Sequence, residues 1–194
     1  MEKIFYFIRK ITVPPVFAIA FLLVIYLMQP DIFTSVWQLI GGILFLGILP
    51  ILGYPLQKCI PYFREKGREG QRSLAMIFCV AGYFMGTFIV FATKASFELC
   101  IIYLEYLLSG ITMLVFNKGF HLRASGHACG IVAPVLLFVY FNMFIPAVIG
   151  GLFVIPVLMS SLKTNRHTIP QLLGGCMISA VCLTVIKYCG LFVF

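Results

Sequence analysis

Three polar islands interrupt this chain, and their residue types suit phosphoryl transfer. Arg68 and Arg72 form the first, Ser125-Gly126-His127 the second, and His167-Thr168 with Gln171 the third. Each lies at a break between long apolar runs. Charged and imidazole groups are costly near a bilayer core, so three such islands point to one shared site. Guanidiniums grip anionic oxygens in bidentate fashion. Two imidazoles, titrating near neutrality, can divide the work of nucleophile and proton donor.

The elements that must position these islands are set by composition. Of the 194 residues 62% are hydrophobic and 10% charged, where a soluble domain carries about 25% charged residues. The chain reads as an integral membrane protein. No polar stretch is long enough for a second domain, so one domain is expected over 1–194, with N-terminal helices in 1–57 and a motif-bearing core in 58–185. Apolar runs recur at 13–29, 35–56, 73–93, 97–116, 128–144, 145–160 and 171–193. Backbone in lipid must satisfy its own hydrogen bonds, so the runs are helices. The expected fold is all-α, a polytopic transmembrane bundle of six or seven helices, six if the first run lies in the interface or is re-entrant. The fifth and sixth runs are short and meet at 142–146, which reads as a tight hairpin turn. Residues 1–10 are basic with interleaved aromatics, and begin the first span or form a short interfacial helix. A secretory signal peptide is the poorer reading, because the next apolar run is long and no small-residue cleavage pattern follows it.

Seven cysteines lie mostly inside apolar runs, with no CxxC pair. They read as small buried hydrophobes rather than disulfides or metal ligands. The net charge of +8 is uneven. With seven spans, the N-terminus and the 57–72, 117–127 and 161–170 linkers share one side, which then holds twelve of the fourteen Lys and Arg. All three islands would meet at that face. The positive-inside rule makes it cytoplasmic, in a bacterial or archaeal cell membrane. No basic surface remains for nucleic acid.

Local chemistry supports the islands one by one. Arg68 and Arg72, four apart at a helix start, share a face. The bland alternative is a juxtamembrane basic cluster attracting anionic lipid, which is the preferred reading for Lys58, Arg64 and Lys66. Ser125-Gly126-His127 precedes the fifth run and so sits at a helix N-terminus, where free amides bind anions and glycine permits close approach. Its bland alternative is an N-cap serine beside an interfacial histidine. His121 reads as interfacial. Glu105, inside run four, is expected to form a buried structural pair or shared network with Lys187. Glycines 82, 86, 150, 151, 174 and 175 are expected at close helix contacts.

Taken together the islands resemble the signatures of the type 2 phosphatidic acid phosphatase superfamily. Ala124-Ser125-Gly126-His127 is similar to its second signature, Pro-Ser-Gly-His. Residues 160–171, from Ser160 to Gln171, resemble the third, Ser-Arg-x5-His-x3-Asp, and Arg72-Ser73 stands where the first, Lys-x6-Arg-Pro, would end. The His-Thr-x-x-Gln form is similar to that of polyprenyl and dolichyl diphosphate phosphatases. The resemblance covers about residues 58–185. It implies that His167 is the nucleophile of a phosphohistidine, that His127 is the general acid, and that Gln171 orients the His167 ring. It further implies phosphate contacts from Arg68, Arg72, Ser125, Gly126, Lys163 and Arg166, with no metal and no cofactor. Three positions depart from the pattern: Ser161 replaces the arginine of the third signature, Glu65 the lysine of the first, and Ala124 the proline of the second.

The leading expectation is thus a membrane lipid phosphatase acting on a phosphomonoester or diphosphate: a polyprenyl diphosphate, phosphatidate or phosphatidylglycerophosphate. The alternative is a catalytically impaired phosphatase-like protein that binds or moves an anionic lipid, favoured by Ser161, Glu65 and Gln171. A third reading, an unrelated transporter or scaffold, expects the islands to lie apart.

Overall fold

Apolar side chains and internally satisfied amides make the helix the default for such runs. A computed structural model describes residues 11–120 and 122–190, and the described residues contain helices and no strand. The basic segment 1–10 and His121 lie outside them. In chain order the helices are α1 (Pro14–Met28), α2 (Val36–Leu56), α3 (Pro61–Glu65), α4 (Gly67–Ala92), α5 (Phe97–Gly119), α6 (Gly126–Tyr140), α7 (Phe144–Lys163) and α8 (Ile169–Gly190). A π-helical stretch occupies Ile43–Ile48 in the middle of α2, and another, Val115–Gly119, closes α5.

Five helices, α2, α4, α5, α7 and α8, are long and apolar enough to cross a membrane. Their outer surfaces carry exposed Phe88, Val148, Leu152, Phe153, Leu173 and Met177, a surface suited to lipid rather than water. The chain is built as an integral membrane protein. The other two apolar helices, α1 and α6, have 15 residues each. At 1.5 Å per residue that is about 22 Å, against a hydrocarbon core of about 30 Å. Among the described residues, five helices thus reach spanning length, and α1 and α6 fall short of it.

Three helix ends share one device. Lys94, Asn142 and Asn165 have φ of 49°, 59° and 51°. Each follows the last turn of its helix, and the two amides beyond that turn bond back into it. For α6 these are Asn142 N–H to the Val139 carbonyl (3.1 Å) and Met143 N–H to that of Phe138 (2.8 Å). This is the Schellman arrangement, in which a left-handed residue reverses the chain while satisfying orphan carbonyls. The hairpin expected at 142–146 is this cap.

The chain divides into two compact units, Ile19–Ile111 and Met1–Ala18 with Thr112–Phe194; the boundaries fall inside α1 and α5. In the first, α2 packs on α4 through small residues: a Cβ on Gly53 would lie 2.6 Å from the Ala75 Cα, and one on Gly82 would lie 2.7 Å from the Phe45 carbonyl oxygen. Gly86 makes room for the Tyr103 ring. Glu105 is fully buried and accepts a hydrogen bond from the Ser109 hydroxyl at 3.0 Å. Lys187, the partner expected for it, belongs to the other unit and is exposed. In the second unit α6 packs against α7 and α8. Of the remaining glycines expected at contacts, Gly175 is tightly packed, Gly150 packs closely on Val135, Gly174 makes ordinary contact with Ala124, and Gly151 faces open space.

Candidate functional site

The second and third islands are brought together in one unit. The Ser125 N–H donates to the Gln171 carbonyl at 2.8 Å, so the start of α6 lies against the first turn of α8. Gly175 allows this approach, since a Cβ there would overlap the Ser125 carbonyl oxygen. Ser125 is the N-cap of α6: its hydroxyl oxygen accepts from the Ala128 N–H at 3.2 Å, and its carbonyl accepts from Cys129 N–H at 3.1 Å. Gly126 is exposed, and a Cβ added there would meet nothing within 4 Å. The helix N-terminus, with its electropositive dipole end, thus opens beside a half-buried His127.

The approach to this N-terminus is pinned by a residue the sequence reading passed over. Asn117, in the π-helical end of α5, donates from Nδ2 to the Ala124 carbonyl at 3.2 Å. Ala124 and Ser125 are buried at 7% and 0% exposure. Asn117 satisfies the carbonyl of the first; Gln171 and Cys129 satisfy the N–H and carbonyl of the second. A polar residue ending an apolar run, eight before Ser125, was the one available signal.

His167 is delivered by the end of α7. Thr164 caps that helix, its hydroxyl donating to the Ser160 carbonyl at 2.7 Å. Asn165 then turns left-handed, with Asn165 N–H on the Leu162 carbonyl (2.9 Å) and Arg166 N–H on that of Ser161 (3.0 Å). The chain re-enters helix at Ile169. Gln171 Oε1 lies 3.1 Å from His167 Nδ1 and accepts from the Thr168 N–H at 3.4 Å. The latter contact is half of a capping box, in which a third-position glutamine reaches back to the N-cap amide. An amide oxygen only accepts, so the contact with the ring is a hydrogen bond in the His167 tautomer that is protonated at Nδ1.

The expected phosphate contacts are distributed unevenly. Lys163 is exposed in the last turn of α7, and Arg166 is half-buried just beyond it. A cation in a last turn also suits the helix dipole. Ser161, at the register of the third signature's arginine, is fully buried and its hydroxyl has no hydrogen-bond partner among the described residues. Arg68 and Arg72 belong to the other unit, exposed in the first two turns of α4, where the four-residue spacing puts them on one face.

Chemically, the unit holding α6 to α8 offers an imidazole held by Gln171, a second imidazole two residues past a helix N-cap, and cations at the adjoining helix end. Compared with protein-family models, curated proteins and solved structures, the chain matches none.

Proposed function

We propose that this chain is an integral membrane lipid phosphatase working through a phosphohistidine, its bundle crossing the bilayer six or seven times. The observation that carries the reading is the bond from Ser125 N–H to the Gln171 carbonyl together with the contact of Gln171 on His167. It joins two histidine-bearing segments 40 residues apart in sequence at one helix-end junction. In the reaction, His167 Nε2 attacks the terminal phosphorus as its bond to the leaving oxygen breaks, that of the lipid alcohol in a phosphomonoester or that of the lipid monophosphate in a diphosphate. His127 gives its proton to that departing oxygen. Water then attacks the phosphohistidine, His127 takes a water proton, and phosphate leaves with His167 restored. The α6 N-terminus and Gly126 receive the phosphoryl oxygens, and Lys163 and Arg166 supply positive charge. Gln171 keeps the Nδ1 proton in place. The Gln171 form of the third island favours a polyprenyl diphosphate as substrate.

Burial of Ser161 favours a second reading. A third-signature arginine has no counterpart in that register, so the protein would bind an anionic lipid without turning it over. Phosphate release from the purified protein, measured on a panel of lipid phosphates, separates the two. Release is expected, and His167→Ala is expected to lower it by at least about a thousand-fold, as loss of a nucleophile does. Unchanged release in that variant removes the phosphohistidine mechanism; no release from any lipid by the wild type leaves the binder.

A further inference from the structure

The turn between α2 and α4 is a folded cationic platform, and its Lys58, Arg64 and Lys66 lie outside the phosphate contacts that the resemblance implies. Gln57, 7% exposed, donates from Nε2 to the Phe63 carbonyl (2.9 Å) and to that of Gly67 (3.1 Å), tying the middle of α3 and the first residue of α4 to the end of α2. Gly70 brings α4 against the Phe63 carbonyl, which a Cβ would overlap. On this frame Lys58, Arg64, Lys66, Arg68 and Arg72 are all exposed, against two exposed carboxylates, Glu65 and Glu69. Tyr62 is 62% exposed, and Lys66 Nζ donates to its hydroxyl at 2.6 Å while lying 3.8 Å from the ring centroid. Its depth follows from helix length. The 26 residues of α4 span about 39 Å at 1.5 Å per residue, roughly 9 Å more than a hydrocarbon core. That excess is about six residues, the number in 67–72, before the apolar run begins at Ser73. Exposed cations with an aromatic ring at that depth meet lipid headgroups.

We infer that Lys58 and Arg64, held on the α3 turn by Gln57, form a binding site for an anionic phospholipid headgroup of the surrounding leaflet, separate from the His127–His167 chemistry. The test titrates phosphatidylglycerol onto the full chain in detergent and counts bound lipids by native mass spectrometry, with phosphatidylcholine in parallel. The wild type is expected to bind the anionic lipid preferentially. Removing two cations by Lys58→Gln with Arg64→Gln should weaken that binding by at least about five-fold, the worth of one juxtamembrane cation. The charge-matched pair Lys94→Gln with Lys187→Gln should leave it unchanged, as should His167→Ala. Both substituted pairs lie on exposed side chains, and equal melting temperatures check that each variant folds. Equal binding of the two lipids, equal loss in both pairs, or no loss in the first overturns the inference. So does displacement of the lipid by inorganic phosphate at the same concentration, which would make the site one for free anions.

Discussion

One oxygen of Gln171 serves both the His167 ring and the Thr168 amide, which makes the residue part of a helix cap as well as of the candidate site. The two duties separate by substitution. Gln171→Ala removes both and should lower phosphate release about 10–100-fold, the usual cost of losing an orienting partner, with about 1 kcal/mol of stability lost with the cap. Gln171→Glu keeps an acceptor for both groups and should retain fold and turnover; thermal unfolding alongside the phosphate assay reads the pair. Two glycines give the sharper contrast. Gly175→Ala forces a methyl group onto the Ser125 carbonyl and should destabilise by about 1–3 kcal/mol, as overpacking does. Gly126→Ala meets open space, so stability should stay within about 0.5 kcal/mol. If the α6 N-terminus receives phosphate, release should nonetheless fall, because the methyl stands where the anion approaches. Unchanged release in Gly126→Ala would move the anion elsewhere.

At the scale of elements, the direction in which His167 leaves α7 depends on a left-handed Asn165. Asn165→Gly should preserve the cap. Asn165→Val puts a β-branched residue at φ near 51° and should cost about 1–2 kcal/mol, with activity falling further than stability because the histidine is carried off its line. Melting temperatures and turnover of the two variants, compared at equal protein concentration, decide this. The same elements explain what a sequence reading can see. Within the described residues each apolar run carries a helix, and the 142–146 reversal was legible, because lipid-facing hydropathy and asparagine turn chemistry are local properties. Helix ends were not. Helix α4 begins six residues before its run, since its cationic first turns are helical without being apolar. Helix α7 runs past Ser160 and Ser161 to Lys163, because those serines are buried rather than at a border. In the candidate site, His167 with Gln171 was expected from the resemblance to the third signature, and their contact is made across the α8 N-cap rather than within a helix. Asn117 was not expected, because its bond to Ala124 is made across a loop and leaves no periodic trace.

For the molecule in its membrane, the open matter is whether the 15-residue α6 crosses. Length argues against it, but the connections within its own unit argue for it. Its first residues bond to the start of α8, which follows directly on the end of α7, and its last residues turn through Asn142 into the start of α7. Since α6 runs back alongside a helix long enough to span, it must cover nearly the same depth. The deficit of about 8 Å against a 30 Å core corresponds to two or three extended residues, and residues 122–125 are non-helical. Non-helical backbone at membrane depth is tolerated only when protein satisfies it, and the Ser125 N–H, its carbonyl and the Ala124 carbonyl are each bonded internally. Membrane-impermeant maleimide tests this in a background where the exposed Cys59 and Cys189 are serine. Leu122→Cys and Thr164→Cys should label from the same side, and Phe144→Cys from the other. If α6 instead dips and returns, Leu122→Cys and Phe144→Cys will label together and Thr164→Cys opposite. That outcome would place the two ends of the Ser125–Gln171 junction on different faces of the bilayer, and the proposed phosphatase site could not form.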